Sequence, residues 1–225
     1  ILDKYRYPAT LFPIVNLIGN GGYLTLAQIK DLQDINRWDI GSHTYTHADL
    51  SVLTAAQIET ELVNTQQYFQ ANGLKAIDIF AYPFGKYNDT VLSVVKKYYG
   101  LARGFDPSSF GQYETFPFFN RYALRPYDVS KDDTLATIEG YVDTIETNKG
   151  VLLLGFHDII AVPTTDEQWS TAKFSDLVDY LATKNIEVLT YSQFVRKYYD
   201  KSELDARYLL LNSPTVQTVT GSIVV

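Results

Sequence analysis

The sequence predicts an α/β fold whose strands run parallel and are joined by crossover helices. Three observations carry this prediction. Short apolar runs rich in β-branched and aromatic residues recur along the chain. Between them lie segments with apolar residues at helical spacing, several opened by Thr or Asn and closed by Gly. The two kinds alternate along nearly the whole chain, which is the pattern of strands laid side by side through helices.

Taken in order, "ATLFPIV" at 9–15 predicts a buried strand, and "LTLAQIKDLQDI" at 24–35 a helix capped by Thr25. "WDIGS" at 38–42 is a second short strand. The clearest helix spans 54–73, with a Thr cap, a stripe through Ile58, Leu62 and Tyr68, and a stop at Gly73. "AIDIFAYPFG" at 76–85 reads as a strand broken by Pro83 and Gly85, and 88–100 as a helix capped by Asn88 and ended by Gly100. Residues 119–130 read as strand then loop, and 133–150 as helix, with Asp132 and Asp133 as its acidic cap. "GVLLLGFHDI" at 150–159 is a buried strand, and 174–199 holds a helix, the strand "IEVLT" and a further helix. The helical pattern stops near residue 200. The Thr-, Val- and Ser-rich stretch 201–225 is expected to be a C-terminal β extension or the start of a further module, so the domain is set at 1–200.

A net charge of −7 and a pI near 4.9 argue against a nucleic-acid partner, which requires clustered Lys and Arg. No run of apolar residues is long enough to cross a membrane as a helix. Cysteine is absent, which removes disulfides, thiolate metal sites and cysteine nucleophiles, and suits an exported protein. Methionine is absent as well, so the sequence is expected to be a processed or truncated piece. Asn88-Asp-Thr90 fits a glycosylation sequon, although the helix cap explains Asn88 equally well.

The chemistry concentrates on the three histidines. His43 and His47 lie four apart just past a predicted strand end, and neutral imidazoles at that spacing can meet one cation. Thr44 and Tyr45 follow His43, so the Glu of the zinc-protease H-E-x-x-H signature is missing, which argues against a metalloprotease. His157 ends another strand and is the natural general acid for a site at the same mouth.

"GSHTYTH" resembles the H-[ST]-x-x-H motif of the polysaccharide deacetylases (the NodB-homology domain, carbohydrate esterase family 4). "YPATLFPIV", "FAYPFGKYND" and "VLLLGFHDI" resemble further motifs of that family in the right order, and the likeness runs to about residue 200. It implies a distorted (β/α) barrel that acts on an N-acetylated polysaccharide outside the cell or at its surface. It also implies a divalent metal, usually zinc, held by an Asp and two His, the latter being His43 and His47. Water activated by the metal and an Asp base would attack the acetamide carbonyl, and His157 would protonate the departing amine.

Several departures qualify that picture. The family's first motif, roughly "TFDDG", supplies the Asp base and the Asp ligand. No Asp-Asp-Gly occurs in these residues. The motif and its strand are therefore expected upstream of Ile1, and the residues in hand are expected to be inactive alone. The family's usual Arg before the Pro of the third motif is replaced by Ala81-Tyr82-Pro83, as in the branch that deacetylates poly-N-acetylglucosamine. There an Arg of the following motif takes over, with Arg121 and Arg125 as candidates to hold a carboxylate. Tyr82, Pro83 and Phe84 are expected to contact substrate. Gly155 stands where the family often has Leu, so the acetyl pocket is expected to use Leu154 or Phe156. Two other readings fit the same scaffold, an O-acetyl esterase and a non-catalytic carbohydrate-binding domain.

Overall fold

The computed structural model of the chain describes residues 1–105, 113–115, 118, 120–198 and 222–224. Its first half alternates β1 (Thr10–Leu11), α1 (Leu26–Asp34), β2 (Asp39–Ser42), α2 (Ala55–Ala71), β3 (Ala76–Ala81), α3 (Asp89–Tyr98) and β4 (Leu101–Arg103). The second half has β5 (Tyr127–Asp128), α4 (Leu135–Asn148), β6 (Val151–Gly155), β7 (Asp158–Ile160), β8 (Gln168–Ser170), α5 (Thr171–Leu181), β9 (Glu187–Leu189), α6 (Tyr191–Tyr198) and β10 (Ser222–Val224).

Helix starts follow the side chains that cap them. Thr25 and Thr54 each form a capping box with Gln28 and Gln57, and the Asn88 side chain accepts from Val91 N. The acidic cap expected at 132–133 is not the cap. Thr134 caps α4, while Asp133 closes the preceding turn by accepting from Ser130 N and Tyr127 Oη, and Asp132 pairs with Lys131. Strand β1 is shorter than its apolar run because Pro13 has no N–H to continue a ladder.

Eight of the strands form two parallel sheets, in the orders β1-β2-β3-β4 and β5-β6-β10-β9, and β7 pairs with β8 in a small parallel sheet of its own. A parallel bridge from Arg103 to Leu124 carries the ladder onward from the end of β4. On the far side, Asp39 of β2 accepts from Ser192 N and Oγ at 2.8 Å each, tying the start of α6 to the opposite sheet. The wall therefore curves round on itself.

Both faces of β6 are buried, as in the centre of a parallel sheet. On β6, Val151 and Leu153 join the inner cluster with Ile79, Leu101 and Phe194. Leu152 and Leu154 point the other way, into the layer under α4 and α5 with Trp169, Leu177 and Ile223. Residues 201–221, expected to be an extension, lie outside the described residues. Ser222–Val224 pairs in parallel with both β6 and β9 and places Ile223, fully buried, in their shared layer.

Candidate active site

Because the strands are parallel, β2, β3, β4 and β6 all deliver their following residues to one rim of the wall. That rim holds His43 and His47 after β2, the Pro83–Gly85 turn after β3, Phe105 after β4, and His157 after β6.

The His43–His47 loop is held in a costly shape. Thr44 and His47 both have positive φ, at 66° and 63°, a conformation that favours glycine. Several hydrogen bonds pay that cost. Thr44 Oγ1 accepts from His47 N at 2.9 Å. From α2, Glu61 accepts from Tyr45 N, Thr46 N and Thr46 Oγ1 at 2.8–2.9 Å. The imidazole rings consequently lie 4.7 Å apart, centre to centre.

His43 Nδ1 lies 2.9 Å from the Ala81 carbonyl oxygen, which can only accept, so Nδ1 carries the proton and Nε2 keeps its lone pair free. Burial, and then the Arg103 guanidinium, lower the His43 pKa to about 3. Burial also lowers that of His47, with His157 and Arg103 acting in the same direction. Both rings are thus neutral donors at physiological pH, the form a metal ion requires. As a donor set they fit two positions of a divalent-metal site. Among the described residues no group of three or more His, Cys, Asp or Glu converges on one point, so a third protein ligand is not among them.

His157 follows β6 on the same rim, close enough for its charge to oppose protonation of both members of the pair. Its Nδ1 lies 3.3 Å from Asp128 Oδ1 at the end of β5, which leaves Nε2 as the free nitrogen. Sequence reading missed Asp128, although "RPYD" ends the segment in which a partner for the last histidine could be sought.

Sequence reading also missed Arg103. It lies at the end of β4, a three-residue strand hidden behind the Gly100 stop. Its guanidinium is sandwiched between Phe12 and Phe105, 4.8 and 4.5 Å from their ring centres, and its buried Nη1 has no hydrogen-bond partner among the described residues. Gly41 makes the sandwich possible, since a Cβ there would overlap the Phe12 ring.

Other expected residues sit elsewhere. Arg125 is engaged by the buried Glu114 carboxylate, through Nε at 3.1 Å and Nη2 at 3.2 Å. Arg121 lies over the Tyr122 ring. Tyr82 is fully buried and donates its hydroxyl to the Tyr122 carbonyl, so that hydroxyl is not available to substrate. Pro83 is buried too, whereas Phe84 is 60% exposed, has φ 57°, and lays its ring 4.6 Å from His47. Leu154 and Phe156 do not face the rim. Leu154 is core, and Phe156 packs on Trp169 and Phe174.

Residues 1–101 match the family model described as polysaccharide deacetylase. The poly-β-1,6-N-acetyl-D-glucosamine N-deacetylase of Staphylococcus aureus is 31% identical over 118 residues, covering 47% of this chain and 40% of that protein. A solved polysaccharide deacetylase from Bacillus cereus is 29% identical with a TM-score of 0.53, over 60% of this chain and 42% of that one. A family 4 acetyl xylan esterase from Clostridium thermocellum, solved with a cobalt ion, shares the fold at 15% identity. Its TM-score is 0.58 over 96% of this chain and 89% of its own, which makes the curved wall a distorted (β/α) barrel. The chain spans 34–40% of the length of the curated relatives it matches. The match falls on the stretch that carries His43, His47 and the Pro83–Gly85 turn, and it is over this first part that the chain is similar to the polysaccharide deacetylases.

Proposed function

We propose that the protein hydrolyses N-acetyl groups from an amino-sugar polysaccharide. The observation that carries the reading is the pair of neutral imidazoles, His43 and His47, on one barrel rim with His157 and its Asp128 partner. The name of the S. aureus relative supports a poly-N-acetylglucosamine type of substrate. A substrate of that size favours a location outside the cell or at its surface.

His43 and His47 would hold a divalent ion, with zinc the favoured candidate for imidazole ligands. Such an ion, when bound, supplies Lewis-acid polarisation of the acetamide carbonyl and a lowered pKa for water. His157, with Asp128 behind Nδ1, is set to pass a proton from Nε2 to the departing sugar nitrogen, an otherwise poor leaving group. Arg103 takes the carboxylate-holding role expected of Arg121 or Arg125, because a buried guanidinium nitrogen without a partner is costly until an anion meets it. The exposed Phe84 ring offers a face on which a sugar can stack.

The test is acetate release by the intact protein from acetylated poly-glucosamine and from acetylated xylan, with free amine measured in parallel. Acetate with matching free amine supports the proposal. Acetate from xylan alone would make the protein an O-acetyl esterase. Retention on the polymer without acetate would make it a carbohydrate-binding domain.

A further inference from the structure

Two glycines clear the space that one phenylalanine fills. Val151 and Leu153 of β6 face the barrel interior, so Gly155 is the next residue on that face. A Cβ at Gly155 would lie 2.8 Å from Phe105 Cε1 and 3.0 Å from Cζ, closer than van der Waals contact allows. From the β3 side, Gly85 has φ +67°, and a Cβ there would lie 2.6 Å from Phe105 N. The Phe105 ring therefore lies against the end of β6, its centre 5.7 Å from that of the His157 imidazole. The Arg103 guanidinium covers the ring at 4.5 Å. Leu154 and Phe156 are turned the other way.

We propose that Phe105 is the wall of the acyl pocket and sets the size of the acyl group removed. This rests on the deacetylase reading above. For His157 to protonate the leaving nitrogen, the amide must sit within hydrogen-bond reach of Nε2. The acyl carbon is one bond from that nitrogen and its first methyl two bonds away, which brings the acyl tail to the ring beside the imidazole. A rigid ring there accepts a methyl and obstructs a longer chain. One methylene in an apolar pocket changes selectivity by roughly 10–200-fold.

The experiment compares kcat/KM of the intact protein and its variants on N-acetyl, N-propionyl and N-butyryl glucosamine oligomers. Phe105→Ala is expected to raise the butyryl-to-acetyl ratio by about tenfold or more. Phe105→Leu, a milder change should the alanine variant not fold, is expected to move the ratio the same way by less. Phe105→Ala combined with Gly155→Leu is expected to return the ratio toward wild type, because the leucine refills the space from β6. An active Phe105 variant with an unchanged ratio, or with equal losses on all three oligomers, overturns the wall and leaves the deacetylase reading standing. A wild-type protein that releases acid from none of the three removes that reading, and the wall with it.

Discussion

At the scale of single residues, the site depends on which atoms are kept neutral or unpaired. His43 binds fewer protons folded than unfolded between its ordinary pKa of 6.5 and about 3. Stability of the metal-free protein therefore falls as pH drops through that window and is level above it, each unit of depression being worth roughly 1.4 kcal/mol. Thermal midpoints measured from pH 7.5 to 4.5 should decline, and His43→Gln should flatten the decline. Replacing His43 or His47 with Ala should abolish zinc uptake by the intact protein, read by titration calorimetry. Uptake at full stoichiometry would refute the ligand assignment. Asp128→Asn should lower kcat by about 10²-fold with little change in KM, since it removes the group that fixes the free nitrogen of His157. The His43–His47 pair was legible because four-residue spacing after a strand is a local pattern. The placement of Asp128 and Arg103 was not, because their neighbours come from strands far apart in sequence that meet only in the barrel.

At the scale of elements, α2 has a duty beyond packing. Its Glu61 receives three hydrogen bonds from the histidine loop and holds two positive-φ residues in place. Glu61→Ala should weaken metal affinity by about 10–100-fold while leaving both ligands present, measured by competition with a chromophoric chelator. Glu61→Gln, which keeps one acceptor oxygen, should lose less. The long helices and their caps were readable, since Thr25, Thr54 and Asn88 carry their own start signals. The short strands were the failures. Leu101–Arg103 follows directly on a helix, and Gln168–Ser170 carries Trp169 with no alternating run around it. Three residues are too few for periodicity to register, and only the neighbouring strands define them.

At the scale of the whole molecule, β10 is the piece that joins β6 to β9. Ile223 is fully buried between α4, α5 and the sheet, so Ile223→Ala should cost about 2–5 kcal/mol in urea unfolding. A loss under about 1 kcal/mol would mean that this strand is not an integral part of the barrel. The parallel α/β class and the barrel type were both legible, because alternation of elements is a property of the entire chain. The entry of β10 between two earlier strands was not, because "TGSIVV" looks the same at an edge or in a sheet centre.

That position also governs the order of assembly. Ser222 pairs with Val151, so the sheet whose strand β6 leads to His157 has a seat that stays open until the ribosome has made the strand that fills it. Pairing across so large a sequence separation is slow, and two apolar edges wait exposed in the meantime. The nascent chain should therefore need a holding chaperone late in synthesis, well after His43 and His47 have emerged.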